Sequence, residues 1–285
     1  MTDLPQSDPH DPLAQAVERV LEEQRRFEAR RSTRMGTGTE TVTAPASRLL
    51  RRFLPPGMMR RALMMADQGA GRTLPEGAGS HDLDDIDACE AAALRVQKWS
   101  VGSNAATGGL AGWFGGPGAM FDVPATLSLA ARNVRATGAA YGFAGNDDEE
   151  RLFRLQILEL ATVQGMEARG DAMGRINRLA RQLNEPEVRF AADRAVDWVF
   201  DKVIDRVARG LSVDLLRRKA AQVVPLAGGL IGAGVNASFQ TDVSRAARWA
   251  YRQRWLMHRK VLPAPPAPAT SAGDDRQAET GHDQA

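Results

Sequence analysis

Residues 99–121 read WSVGSNAATGGLAGWFGGPGAMF, and residues 220–241 read AAQVVPLAGGLIGAGVNASFQT. Neither stretch holds a charge, although 25% of the chain is charged. Each has the length of a membrane span. Their composition opposes a simple span: in the first, Val101, Leu110, Phe114 and Phe121 are the strong insertion formers, worth roughly 0.3–0.6 kcal/mol each, and Ser, Asn and Pro work against them. Its seven glycines would each cost about 1 kcal/mol in an isolated soluble helix, so packing has to compensate. Gly108, Gly112 and Gly116 recur every four residues, as do Gly228 and Gly232, and each set predicts a flat strip on which another backbone can approach closely. Pro117 and Pro225 interrupt the stretches, which suits a helical hairpin or re-entrant element better than a straight helix.

Three readings of these stretches stay open: tightly packed core helices of a soluble bundle, a membrane-dipping hairpin, or a phosphate- or cofactor-binding loop. For the last, Gly232-Ala-Gly234-Val-Asn-Ala237 matches G-x-G-x-x-A, but no acidic residue follows about 20 positions on. The glycines at 108–118 also lack the Lys-Ser/Thr of a P-loop. No cofactor is expected.

Working outward, almost every segment has helical period. HDLDDIDACEAAALRVQKW sets aspartates at 82, 84, 85 and 87 ahead of Ile86, Ala93, Leu94 and Val96, an acidic first turn that a helix dipole favours. Asp122 is placed to cap the next helix, with Pro124 in its first turn. Asn146 and Glu149 have capping-box spacing ahead of RLFRLQILELATVQGM. After Pro186, one apolar stripe runs through Val188, Ala192, Ala195, Val199, Val203 and Val207. No stretch alternates at period two. The expected fold class is all-α, a single bundle of about seven to ten helices with the two glycine-rich segments as helical hairpins.

Residues 1–44 read as a partly helical arm and linker, in which Leu13, Val17, Val20, Leu21 and Phe27 form a narrow apolar stripe. Residues 45–262 form the expected helical domain. The Pro/Ala/acidic run 263–285 has no periodic apolar positions and reads as disordered. The acidic, polar start is unlike a secretory signal, which points to the cytoplasm.

The chain has 285 residues with 37 Lys+Arg against 35 Asp+Glu, so its net charge of +2 provides no global field for nucleic acid. A single cysteine, Cys89, excludes an internal disulfide framework. Charge is nevertheless segregated. Six basic residues and no acid lie between Arg245 and Lys260; there Arg245, Arg248, Arg252 and Arg259 share a helical arc beside Trp249 and Trp255. A second acid-free run holds Arg48, Arg51, Arg52, Arg60 and Arg61. Basic residues with interleaved aromatics suit an anionic membrane surface, where each cation contributes about 1 kcal/mol. The competing reading is that these arginines are solvated or pair with the acidic clusters at 82–90 and 147–150.

Catalytic chemistry has thin support. His10, His81, His258 and His282 lack metal-ligand spacing, so no metal site is expected. Cys89 lies among alanines with no basic neighbour and reads as buried and inert. Asp122, Glu159 and Asp242, carboxylates beside or within apolar runs, are the candidate functional acids of a hydrolase-like alternative; capping is the competing role for Asp122 and Asp242.

From Trp99 onward, the order of features resembles the EcsC family. It comprises the glycine-rich WSVGSNAATGGLAGWFGGPG, the Asp122-Val-Pro124 step, Tyr141-Gly142-Phe143 with an acidic patch and LFRLQILEL, then Lys219 leading into VVPLAGGLIGAGVNASFQTDV and an arginine-rich last helix. The resemblance covers most of residues 85–262 and excludes the arm before about 45. It implies a membrane-associated accessory protein at the inner face of the cell membrane, in the context of ABC transporter subunits, with no established reaction and no catalytic residue to carry over. A soluble helical scaffold for a protein partner is the further alternative.

Overall fold

The computed structural model describes residues 12–29, 56–71, 74, 79–113, 115–163, 165–184, 202–211 and 228–261. Eight helices and no strand occur among them: α1 (Pro12–Glu28), α2 (Pro56–Ala70), α3 (Ile86–Trp113), α4 (Gly115–Ala140), α5 (Asp148–Thr162), α6 (Met166–Asn184), α7 (202–211) and α8 (Gly228–His258).

The longest helices, α3, α4 and α8, make the frame. Asn104 on α3 donates to the Asn236 carbonyl on α8 at 3.0 Å, while Glu90 on α3 meets Arg248 and Arg252 on α8. Numbers fall along α3 as they rise along α8, so this pair is antiparallel. Along α4 and α8 they rise together: the Thr126 carbonyl accepts from Gln240, Asn133 donates to Ser244, and Gly138 lies against the Tyr251 ring. The end of α3 and the starts of α4 and α8 therefore gather at one pole. Both glycine-rich, charge-free stretches contribute their helical residues to it.

Buried apolar side chains fill the space behind this frame. The core includes Leu63, Ile86, Leu127, Phe153, Ile157, Phe239, Trp249 and Tyr251. Nearly all of α5 is buried, and its charged residues Glu150, Arg154 and Glu159 are held there by ion pairs. On α7, Val203, Ile204, Val207, Ala208 and Leu211 face the core. Gly142 ends α4 with φ +84°, the Gly142 amide donating to Ala139 and the Phe143 amide to Gly138. This is a Schellman cap, in which a left-handed residue follows the last turn at little cost when it is glycine.

Several local expectations shift. Asp122 and Pro124 lie inside α4, which begins at Gly115, so Asp122 is not a cap. Pro117 falls in the first turn of α4, where a missing amide costs nothing. The chain breaks between Trp113 and Gly115, which puts Gly116 on the returning helix and not on the strip of Gly108 and Gly112. The cap of α5 is Asp147, whose carboxylate accepts from the Glu150 amide at 2.8 Å; Asn146 accepts from Arg135 instead. The N-terminal helix is also no detached arm. Val17, Val20 and Gln24 are buried, and the Gln24 amide donates to the Trp249 carbonyl at 3.2 Å. Arg48, Arg51, Arg52, Pro225, the stripe from Val188 to Val199 and the run 263–285 lie outside the described residues.

Candidate functional site

The chemistry of this bundle is concentrated where α1, α3 and α8 meet. Glu90, in the second turn of α3, receives Arg252 through Nε at 2.6 Å and Nη2 at 2.7 Å, and Arg248 through Nη2 at 2.6 Å. The Tyr141 hydroxyl, carried just past α4, donates to the same carboxylate. Arg248 and Arg252 also reach Glu23 on α1, at 3.2 and 2.7 Å, and Arg252 Nη1 donates to Gln24 at 3.1 Å. Two guanidinium groups are thus locked between an inner carboxylate and an outer one.

Burial alone would push the Glu90 carboxyl up. The hydrogen bond from Arg252, the charges of Arg252 and Arg248 and the Tyr141 hydroxyl outweigh it and hold the group down at about 2. Tyr141 moves the other way, raised by burial and by the Glu90 charge. Cys89, adjacent to Glu90, is pushed up to about 12 by burial and by Asp85, Glu90 and Asp82, so the thiol stays protonated and unreactive.

A cleft of about 300 Å³ opens beside this clamp, lined by Glu23, Arg26, Phe27, Gln97, Arg245, Arg248, Trp249 and Arg252. Phe27 and Trp249 stack at 5.7 Å to form one wall, and the Trp249 indole donates to Glu28 at 3.0 Å. Buried Gln97 Oε1 and Arg248 Nε have no hydrogen-bond partner.

A second ion-pair group lies deeper. Arg254 makes a two-pronged pair with Glu150 at 2.7 and 2.6 Å and stacks over Phe143 at 4.2 Å. Arg154 makes another with Asp67 at 2.9 and 3.2 Å, and Arg151 approaches Asp67 at 3.3 Å. Glu159 pairs with Arg175 at 2.8 Å and with Arg206 at 3.6 Å.

These pairs decide between the two readings of the basic run. Arg248, Arg252 and Arg254 meet Glu90 and Glu150, members of the two acidic clusters, and exposed Arg259 reaches Asp84. Trp249 and Trp255 are interior, only 1% and 3% exposed, and the Trp255 indole donates to the Leu83 carbonyl. Arg245 stays at the cleft wall. The three candidate acids lie on three different helices: Asp122 is on α4, Glu159 on α5 and Asp242 on α8. Among the described residues no three His, Cys, Asp or Glu side chains come together as a metal site would require. Sequence reasoning named Cys89 and the acidic cluster but missed Glu23, Gln24, Arg26 and Gln97. Glu23 lies 229 residues from Arg252, and only a signal that α1 docks on α8 would have found it.

Fold and site together define an all-helical bundle organised around a long arginine-rich final helix held by buried carboxylates. The chain belongs to the EcsC protein family, which matches residues 18–256. That match begins inside α1, so the N-terminal helix belongs to the family's span, contrary to the boundary expected near residue 45. The chain is also similar to the uncharacterized protein YdbA of Bacillus subtilis (strain 168), 26% identical over 163 residues. Those residues are 55% of this chain and 55% of the relative, so the chain spans about half the length of the curated relative it matches. No solved structure matches.

Proposed function

We propose that this chain is a non-catalytic, membrane-peripheral helical protein whose charge-free pole enters one leaflet while the ion-paired body stays at the surface. One observation carries the reading: the antiparallel register of α3 and α8 brings both charge-free stretches to the same end of the molecule. Along α3 the charge-free part runs from Trp99 to Trp113, about 22 Å at 1.5 Å per residue, enough to pass headgroups and reach acyl chains. No helix among the described residues is long and apolar enough to cross a membrane, and shallow insertion requires none that is. The Asn104 side-chain amide and the Asn236 carbonyl near this end pair with each other inside the bundle. Their desolvation cost is therefore offset before any lipid is met. A cytoplasmic location, which the acidic, polar start favours, and attachment at the inner face beside ABC transporter subunits, which the family resemblance suggests, complete this reading.

Vesicle flotation tests it. Wild-type protein is expected to float with anionic vesicles and to resist a carbonate wash, and Leu110→Glu, which sets a charge in the pole, is expected to stay at the bottom while keeping its helical circular dichroism. Equal flotation of both proteins, or none by the wild type, overturns the proposal.

A further inference from the structure

The cleft between α1, α3 and α8 has features that a purely structural ion-pair cluster does not need. Four guanidinium groups, those of Arg26, Arg245, Arg248 and Arg252, line it with a single carboxylate, Glu23. That carboxylate is about half exposed, whereas Arg252 is almost fully buried and Arg248 nearly so. The inner carboxylate, Glu90, already orients both arginines through three contacts of 2.6–2.7 Å. Glu23 thus adds little to their positioning and sits where a ligand would, an oxyanion held by one Nη2 of each arginine on the open side of the pair. Planar guanidinium forks recognise carboxylate and phosphate oxygens by the same two-pronged geometry. At about 300 Å³, the cavity is at the small end of ligand pockets, the right scale for a phosphate and a short substituent against the Phe27–Trp249 wall. Buried Arg248 Nε, without a partner, leaves one donor for such a group.

We propose that this cleft is a phosphomonoester-binding site in which the Glu23 carboxylate is the resident occupant that an incoming phosphate displaces from Arg248 and Arg252. The reading is separate from leaflet insertion, since the site needs only the folded bundle. It carries a sign that a structural ion pair does not. Removing the resident charge frees the two Nη2 donors that face it and leaves the cleft more positive, so binding strengthens.

Isothermal titration of the full chain with inorganic phosphate, ionic strength held constant with chloride, provides the test. Glu23→Gln is expected to tighten phosphate binding about tenfold relative to wild type, the scale of one charge-assisted hydrogen bond. Arg245→Gln and Arg26→Gln, at the cleft wall and rim, are each expected to weaken it. No phosphate-specific heat in either wild type or Glu23→Gln overturns the site, as does weaker binding by Glu23→Gln. Two further arms distinguish the source of the phosphate. Phosphatidylcholine vesicles with and without phosphatidic acid test a lipid headgroup, and glycerol 3-phosphate tests a soluble ligand. Preferential recruitment by phosphatidic acid supports the headgroup form, and tight binding of glycerol phosphate with no such preference supports the soluble form. Leu110→Glu should retain phosphate affinity in solution, so failure of leaflet insertion and failure of this site are read independently.

Discussion

Glu90 on α3 and Arg252 on α8 form a two-pronged ion pair, at 2.6 and 2.7 Å, across 162 residues of sequence. Both side chains are largely buried, 12% and 3% exposed. A charge in that position is tolerated only with its partner, because desolvation is repaid through good geometry and further hydrogen bonds. Glu90→Ala leaves Arg252 facing Glu23 alone, and we expect a loss of about 3–5 kcal/mol, read by urea denaturation.

The same pair sets an acid response. Glu90 is depressed from its ordinary 4.5 to about 2 in the folded protein. Its contribution, on the order of 3 kcal/mol, is present in full above pH 4.5 and is lost as pH falls from there toward 2. Stability measured between pH 6 and pH 2.5 should therefore fall less steeply in Glu90→Gln than in wild type. Parallel curves would remove Glu90 from the acid response.

Cys89 offers a probe of the same interior. Fully buried and with its thiol pushed up to about 12, it should resist Ellman's reagent at pH 8 in the native protein and react at once in 6 M guanidinium chloride. Rapid native labelling would contradict this placement.

At Gly138, α4 approaches the Tyr251 ring of α8 closely. A Cβ there would lie 2.7 Å from the Phe143 carbonyl oxygen and 2.7 Å from the Tyr251 ring. Neither can move far: the carbonyl belongs to Phe143, whose amide closes the helix cap, and the ring stacks near Phe143 and meets Phe153 edge-on. Gly138→Ala should thus destabilise by about 1–3 kcal/mol, the cost of overpacking, seen as a lower Tm. A gain in Tm, the usual result of Gly→Ala in an open helix, would refute the contact.

Asn133 joins α4 to α8 by donating to Gln240 Oε1 at 3.0 Å and Ser244 Oγ at 2.8 Å, and it accepts from Thr137. All four side chains are buried. Asn133→Ala leaves polar groups stranded at about 1–3 kcal/mol each, whereas changing Asn133 and Ser244 together to alanine should cost less than the sum of the single changes. A double-mutant cycle by chemical denaturation measures that coupling.

Much of the helical frame was legible in the residues. The 3.6-residue period places α3, α5 and the later part of α8, and the Asp-rich run ahead of Ile86 marks the start of α3, where Asp85 accepts from the Asp87 amide. The cap of α5 was misplaced by one residue because Asn146 and Asp147 are both good caps, and the tie is broken by Arg135 drawing Asn146 away. Asp122-Val-Pro124 looked like a helix start because proline favours first turns. The helix instead begins seven residues earlier, at Gly115, where the chain reverses after α3.

The candidate site was half legible. Periodicity grouped Arg245, Arg248, Arg252 and Arg259 on one arc and set acidic clusters against them, but a polar arc on a helix reads as a solvent-facing one. Here Arg248 and Arg252 of that arc face inward, because α1 and α3 bring carboxylates to them and a paired guanidinium can be buried where a lone one cannot.

The sequence by itself determined that this chain is helical, that its charges are segregated, and that two charge-free glycine-rich stretches interrupt them. These are local properties, set by periodicity, caps and composition. Only the tertiary structure decided that the two stretches share a pole, that Glu90 and Glu23 hold Arg248 and Arg252 between them, and that an arginine-lined cleft opens beside Trp249. Those facts depend on the register between helices remote in sequence, which side-chain packing selects and no single helix encodes.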